Sequence, residues 1–154
     1  MGVVKQFFQQ VDWGTLDYLI VDLPPGTGDA QLTMIQSVDI DGAVVVTTPQ
    51  KVAVLDAVRG VEMFNKLGVS ILGIVENMSY LTLPNGEKLR PFGEGGGLAT
   101  AMEYNVPLIE QIPLNEEIRA GGDLGMPVAL SDDAIANPFV NIAKAVVAGF
   151  ECTD

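Results

Sequence analysis

The chain has 154 residues, of which 48% are hydrophobic and 18% charged, with one cysteine and no histidine. This length suits one hydrophobic core, and so high an apolar fraction excludes a disordered protein. One copy cannot form a zinc site, an intrachain disulfide or a histidine-dependent nucleophilic pair. The net charge of −12 argues against binding to nucleic acid or anionic lipid, since both require a basic surface.

The N-terminal segment predicts neither a secretory signal nor a membrane span. Residues 1–10 lack a continuous apolar centre, and no stretch approaches the ~18 consecutive apolar residues of a spanning helix. Apolar residues at helical spacing instead predict an amphipathic helix packed on the body: Val3, Val4, Phe7, Phe8 and Val11. With its single unpaired cysteine, we expect the protein to be cytoplasmic.

Four short apolar runs predict the strands of a sheet. They are Leu16–Val21, Gly42–Thr48, Val69–Val75 and Pro107–Ile112, and the first three are nearly continuous rather than alternating. Continuous runs are typical of strands covered by helices on both faces. Because helix-length segments separate the runs, we predict a three-layer α/β fold with a mostly parallel sheet, formed by residues 1–154 as a single domain.

The segments between these runs carry helical patterns. A long helix ending at Gly68 is predicted from apolar residues spaced three and four apart: Val54, Val58, Val61, Phe64 and Leu67. Shorter helices are predicted over Asp29–Val38 and Leu98–Tyr104. The C-terminal helix begins either at Asn137, with Pro138 in its first turn, or earlier near Asp132, and the sequence does not decide between them.

Polar residues follow the predicted strands, at the sheet edge where open α/β proteins bind ligands. Asp22 ends the first run, and the segment Asp22–Asp29 (DLPPGTGD) combines stiff prolines with permissive glycines. A carboxylate beside a polyphosphate requires an intervening cation, so Asp22 is a candidate outer ligand of Mg²⁺. The residue types fit equally well an aspartate that caps the next turn, and both interpretations stay open.

Three further segments are ambiguous. The amide of Asn77 suits an adenine edge, although a turn-forming asparagine is the favoured interpretation from the residue alone. Thr47 and Thr48 suit either a phosphate or neighbouring backbone. The glycine-rich run Phe92–Gly97 (FGEGGG) follows a loop rather than a strand, which favours flexible entry into a helix over a phosphate cradle. Cys152, near the C-terminus, is interpreted as a bystander thiol.

Five motifs occur in one order: DLPPGTGDAQLT, VVVTTPQKVAVLDAVRGVEMF, GIVENMSY, FGEGGG and IPLNEEIR. Together they resemble the C-terminal part of the Mrp/ApbC iron–sulfur carrier ATPases, within the MinD/ParA-like deviant P-loop group. The resemblance runs from about Asp12 to at least Pro127. It implies that Asp22 is the Walker B aspartate on Mg²⁺ and that Asp22 through Asp29 form a switch sensing the γ-phosphate of ATP.

The resemblance also assigns individual residues and partners. It implies Asp22 and Asp29 as catalytic residues, and cofactor binding by Gly26, Thr27, Gly28, Asn77, Pro113 and Asn115, the last three around the adenine. It further implies a homodimer with nucleotide near the interface. Such proteins carry a [4Fe–4S] cluster from scaffold to apo iron–sulfur proteins.

The P-loop of that family is absent from this sequence. Family members carry a glycine-rich turn ending in Gly-Lys-Ser/Thr upstream of these motifs, whereas no lysine here follows a glycine. The related fold places the missing P-loop strand between the first two predicted strands, which leaves two apolar edges unpaired. We therefore expect a fragment or truncated product that does not bind or hydrolyse ATP alone. A second copy, or closure of the sheet, would cover those edges.

The family's Cys-x-x-Cys cluster motif is also absent. The corresponding stretch is residues 81–86 (LTLPNG), with Leu83 and Asn85 near the expected cysteine positions. Neither side chain replaces a thiolate ligand of iron, and two Cys152 in a dimer supply only two of four usual ligands. We expect these residues not to bind a cluster.

Three functions are compatible with the sequence. For the lineage we favour an iron–sulfur cluster carrier ATPase, in which water attacks the γ-phosphate of ATP. For the isolated chain we favour a non-catalytic binding module. A MinD/ParA-like positioning ATPase is the alternative, but Lys144 is the only basic residue in the C-terminal segment, which disfavours a membrane anchor.

Overall fold

A computed structural model describes residues 6–8, 10–23 and 28–151 of the chain. Its elements, in chain order, are α1 (Asp29–Ile35), β1 (Ala43–Thr47), α2 (Lys51–Lys66), β2 (Ile71–Glu76), β3 (Leu81–Thr82), β4 (Lys88–Leu89), α3 (Gly96–Glu103), β5 (Leu108–Gln111), α4 (Glu116–Asp123), two 3₁₀ helices (Val128–Leu130 and Ala134–Ala136) and α5 (Asn137–Glu151). Residues 6–8 are also helical. Within these ranges, no helix has the length and apolar character needed to cross a bilayer.

Strands β1, β2 and β5 form a parallel sheet in that order. Helix α2 connects β1 to β2, and α3 lies in the connection from β2 to β5. Parallel neighbours require such crossovers, because a tight turn cannot return the chain to the starting edge. The short strands β3 and β4 pair antiparallel as a hairpin that precedes α3. The predicted α/β class with a parallel sheet is confirmed.

The main core lies between the sheet and helices α2 and α3. Val61 and Phe64 of α2 and Ala101 of α3 meet Val45 and Ile74 of the sheet, all at most 7% exposed. Burying each of the larger side chains contributes roughly 1.5–3 kcal/mol. Helix α5 packs against β5 and β2. Leu72 of β2, which lies outside the main core cluster, contacts this helix at Gly149.

The predicted strand Leu16–Val21 is wrong. These residues are irregular, and their apolar side chains are exposed, from 42% at Val21 to 79% at Ile20. A strand needs a neighbour for its N–H and C=O groups. Within the described residues this run is hydrogen-bonded to no strand, and β1, the strand at the end of the sheet, pairs only with β2.

The helix predictions hold with shifted ends. The long helix ends as predicted, since Gly68 follows it at φ +73°. Helix α1 stops at Ile35 rather than Val38, and α3 begins two residues earlier than predicted. Helix α5 begins at Asn137, which is itself helical at φ −52° and ψ −43° rather than a cap. Of the predicted N-terminal helix, residues 6–8 are helical, and residues 1–5 and 9 lie outside the described residues.

Candidate nucleotide site

Backbone hydrogen bonds tie together the carboxyl ends of the three parallel strands. The Asn77 amide donates to the Thr47 carbonyl at 2.7 Å, and the Ile112 amide donates to the Glu76 carbonyl at 2.9 Å. The Ser79 amide then donates to the Ile112 carbonyl at 2.9 Å. The segments that follow β1, β2 and β5 therefore leave the sheet side by side, as the sequence predicts for parallel strands.

A cavity of about 220 Å³ lies beyond the end of β5. It brings together Pro113 and Asn115 with neighbours from the β3 region; its lining is Tyr80, Leu81, Thr82, Pro113, Leu114, Asn115 and Glu116. Asn115 also caps α4, because its Oδ1 accepts from the Glu117 amide at 2.7 Å. Its Nδ2 donates to no residue within the described part of the chain. This leaves the two N–H donors of Nδ2 for a ligand.

Asn77 does not line that cavity. It is half-buried, and its Oδ1 accepts from the Met78 amide at 2.9 Å, which realises the turn-forming interpretation. Its Nδ2 has no acceptor among the residues that the structure describes. The next residue, Met78, adopts φ +54°, a left-handed conformation that a non-glycine residue rarely takes.

Asp22 is exposed and lies at a second cavity of about 270 Å³. The other lining residues are apolar: Phe7, Phe8, Trp13, Leu19, Ile20, Val21 and Met34. The carboxylate therefore faces a cleft open to solvent, although it follows an irregular segment instead of a strand. An exposed carboxylate keeps the lone pairs that a hydrated Mg²⁺ requires, but the residues that line this cavity supply no second side-chain oxygen beside Asp22.

The segment after Asp22 is only partly described. Gly26 and Thr27 lie outside the described residues. Gly28 is the N-cap of α1, and its amide donates to Oε1 of Gln31 at 2.7 Å; Asp29 is the first helical residue. Of the described residues of the predicted switch, Asp22 and Leu23 are irregular, and Gly28 and Asp29 form the start of a helix.

The threonines at the end of β1 differ from one another. The Thr47 hydroxyl donates to the Thr48 carbonyl at 3.2 Å, which is the local backbone alternative. The Thr48 hydroxyl is buried and has no partner within the described ranges. Those ranges also contain no group of three or more acidic or cysteine side chains placed to hold a metal ion.

Glu76 is a site residue that the sequence reasoning missed. Its side chain is fully buried, and its carboxylate accepts from the Ser79 hydroxyl at 2.6 Å, the Gln111 amide group at 2.7 Å and the Gly97 backbone at 2.7 Å. The available signal was an acidic residue at the end of a continuous apolar run. A charge there must be hydrogen-bonded to remain buried.

Glu76 also explains the glycine-rich run Phe92–Gly97. Gly95 is the N-cap of α3 at φ +75°. A Cβ on Gly96 would lie 2.7 Å from the Pro49 carbonyl, and one on Gly97 would lie 2.9 Å from Glu76 Cβ. The glycines thus allow α3 to pack closely on the strand ends. The run is a helix entry, as favoured, and the Gly97 amide is already bound by a carboxylate and is not available to a phosphate.

The residues at the expected cysteine positions belong to the β3–β4 hairpin loop. Asn85 Oδ1 accepts from the Glu87 amide at 3.0 Å, and its Nδ2 donates to the Glu87 carboxylate at 2.9 Å. Leu83 accepts from the Gly86 amide at 2.8 Å through its carbonyl. Both side chains are unsuited to an iron–sulfur cluster, and Cys152 lies outside the described residues.

Comparison with known proteins decides the family. A family model described as "ParA: NUBPL iron-transfer P-loop NTPase" matches residues 1–147. The chain belongs to this family. An iron–sulfur cluster carrier protein of Synechocystis is 53% identical over 149 residues, which cover 94% of this chain and 42% of the relative. The namesake from Pyrococcus horikoshii is 44% identical, with 50% of its length covered. The chain thus spans about half the length of the curated relatives it matches.

Solved structures place this member of the ParA/NUBPL family among nucleotide-binding folds. A nucleotide-binding protein of Archaeoglobus fulgidus in complex with ADP superposes with a TM-score of 0.76 at 41% identity, covering 86% of this chain and 55% of that one. The cell-division ATPase MinD of Pyrococcus furiosus gives a TM-score of 0.68 at 22% identity, covering 94% of this chain and 57% of MinD, and shows the fold alone. The predicted family and P-loop NTPase-like fold are therefore confirmed.

Proposed function

We propose that the chain is the C-terminal portion of an ATP-dependent iron–sulfur cluster carrier, contributing the base-binding surface and the magnesium-side carboxylate. The observation that carries this proposal is the 53% identity with an iron–sulfur cluster carrier protein over 94% of the chain. The 41% identical relative that holds ADP supports a nucleotide as the ligand. Residues 1–154 form one unit of this larger ATPase, in the cytoplasm.

The cavity beyond β5 is the proposed adenine site. Its volume of about 220 Å³ lies below the roughly 300–1,000 Å³ of pockets that enclose a whole ligand, so it suits the base alone. Pro113 and Leu114 give it an apolar wall, and Asn115 offers its Nδ2 to a ring nitrogen. Asn77, one strand away with an unpaired Nδ2, approaches the same ligand from the β2 side.

The proposed magnesium ligand is Asp22, acting through coordinated water. Mg²⁺ neutralises phosphate charge, and Asp22 holds the ion's hydration shell from the protein side. Gly26, Thr27, Gly28 and Asp29 complete the γ-phosphate switch in this proposal. The phosphate-binding amides and lysine of a P-loop are not encoded within these 154 residues.

The unpaired edge of β1 is the proposed seat of the P-loop strand. Within the described residues that edge has no hydrogen-bonded neighbour, and the run of residues 16–21 has strand composition without a strand partner. A parallel strand inserted between them would satisfy both backbones and cover their apolar side chains. The homodimer and the apo iron–sulfur partners are proposed for the assembled ATPase, not for this portion alone.

The cluster is cargo in this proposal, and no ligand for it is assigned here. Leu83 lacks a donor atom, and the amide of Asn85 is used within its own loop. Cluster ligands in the assembled carrier therefore come from outside residues 81–86.

Titration with adenosine tests the base site on this chain. In ¹H–¹⁵N spectra, the amides of Tyr80, Leu114 and Asn115 are expected to shift with adenosine and not with uridine, which lacks the purine ring. The variant Asn115→Ser keeps a good helix cap but removes the amide nitrogen, so adenosine affinity should fall about tenfold while the free energy of unfolding changes by less than ~0.5 kcal/mol. Equal shifts with adenosine and uridine, or none with either, contradict the proposed site.

A further inference from the structure

Glu76 is a fully buried carboxylate for which the described residues offer no cationic partner. Its exposure is 0%, and none of the ion pairs in the described part of the chain includes it. Burying a carboxylate is costly unless hydrogen bonds replace its hydration. Three short hydrogen bonds do so here, and the adjacent N-terminus of α3 favours negative charge through its aligned peptide dipoles.

The three donors come from three different segments. Ser79 belongs to the turn after β2, Gln111 ends β5, and Gly97 lies in the first turn of α3. Oε1 accepts from both Ser79 and Gln111, whereas Oε2 accepts from the Gly97 amide. One side chain therefore fixes the relative positions of the turn that carries Asn77, the strand that leads to Pro113, and the helix beside them.

The turn held by Glu76 is intrinsically unfavourable. Met78 sits at its centre with φ +54°, where a side chain crowds the backbone. Non-glycine residues persist in that conformation only when their surroundings determine it. The hydrogen bond from Ser79 to Glu76 closes this turn from its far side at 2.6 Å.

We propose that Glu76 is a positioning residue for base binding: its buried carboxylate holds the Asn77–Ser79 turn and the end of β5 in the geometry that receives adenine. This inference rests on the proposed function, since it assigns a cause to the shape of the same site. Glu76 itself does not contact the ligand. It acts through Ser79 and Gln111.

The variant Glu76→Gln tests this role. A glutamine amide has one acceptor oxygen and two N–H donors, so at least one of the three donors loses its acceptor. We expect adenosine affinity to fall about tenfold, and the Gly97 amide to exchange with deuterium about tenfold faster relative to the core amide of Ile74. The matched control is Glu62→Gln, an exposed glutamate of α2 that is hydrogen-bonded to none of Ser79, Gln111 and Gly97, and it should leave both readouts unchanged.

Two further variants keep the test decisive. In the Glu76→Gln background, Met78→Gly should recover part of the adenosine affinity, because glycine adopts the left-handed turn without crowding. If Glu76→Gln does not fold, Ser79→Ala retains the carboxylate and its bonds to Gly97 and Gln111, and should weaken adenosine binding about threefold by releasing the turn.

The outcomes separate the two proposals. Adenosine affinity that is unchanged in the folded Glu76→Gln and Ser79→Ala variants, beside a wild type that binds, contradicts the positioning role alone. A wild type that shows no adenosine shifts contradicts the base site, while protection of the Gly97 amide still reports whether Glu76 orders the helix entry. Loss of affinity with recovery through Met78→Gly supports the positioning role.

Discussion

Titration of this chain with Mg-ATP is expected to give no micromolar binding, whereas addition of a P-loop segment should raise the affinity at least about 1,000-fold. The reason is that most hydrogen bonds to the phosphates of ATP are expected to come from the P-loop, which this chain does not contain. Each charge-assisted hydrogen bond to a phosphate contributes roughly 1.5–3 kcal/mol, and losing several of them removes more than ~4 kcal/mol, which is a factor of about 10³. Calorimetry on the chain alone, and on the chain with an added P-loop portion that ends in Gly-Lys-Thr, measures both values.

Asp22 provides a matched pair for the assembled state. With the P-loop portion present, Asp22→Asn should reduce ATP hydrolysis by at least about 100-fold. The substitution removes the carboxylate charge that holds Mg²⁺, and Mg²⁺ stabilises the negative charge of the transition state. Asp17→Asn removes an exposed charge five residues earlier in the same segment and should leave hydrolysis within about twofold. Micromolar Mg-ATP binding by the chain alone, or equal losses in both variants, would overturn the proposed division of the site.

The three paired strands could be predicted because the sequence shows both their apolar runs and the helical segments that cover them. The runs around Val45 and Ile74 are nearly continuous in apolar residues, the run around Leu108 is shorter and ends in polar residues, and helix-length segments between the runs supply the covering layers. The run Leu16–Val21 has the same composition but no structure to match. Composition predicts whether the side chains of a strand can be buried. It does not predict whether a neighbouring strand is present to hydrogen-bond its backbone.

In the candidate site, too, some features could be predicted from the sequence, whereas others depend on contacts between distant segments. The positions of Asn77, Pro113 and Asn115 follow from the rule that ligands meet the carboxyl ends of parallel strands. The helix entry at Phe92–Gly97 was favoured by the sequence, but the reason for its glycines was not predicted, because it depends on Glu76, 21 residues away from Gly97 along the chain. Glycine tolerates both a bound phosphate and a close-packed neighbour, and only the contact of Gly97 with a carboxylate distinguishes these cases.

Asn115 shows why a single residue type leaves two functions open. Its oxygen caps α4, and its nitrogen points to no described partner. An asparagine before two glutamates predicts a helix start equally well with or without a ligand. Because the cap uses only Oδ1, the Nδ2 of the same side chain stays free to bind a ligand, so the two roles are compatible.

The largest stability effect is expected for Gly73→Ala, at the centre of the parallel sheet. Gly73 lies in β2 at φ +155°, where a Cβ would meet Ile109 at 2.6 Å and the Pro107 carbonyl at 2.7 Å. That carbonyl accepts from the Ile74 amide at 2.8 Å, so the backbone cannot retreat without weakening the β2–β5 ladder. Overpacking of this kind costs roughly 2–4 kcal/mol in free energy of unfolding, measured by urea denaturation.

Gly60→Ala is expected to raise the free energy of unfolding, whereas Gly73→Ala lowers it. Gly60 lies within α2 and has no atom within 4 Å of its ideal Cβ, so alanine meets only open space there. Helix propensity then favours alanine by about 0.5–1 kcal/mol. A Gly73→Ala variant as stable as Gly60→Ala would mean that β5 does not approach β2 as closely as the ladder requires. The cavity beyond β5 would then lose the frame on which the proposed adenine site depends, since Glu76 and Gln111 are held in register by that ladder.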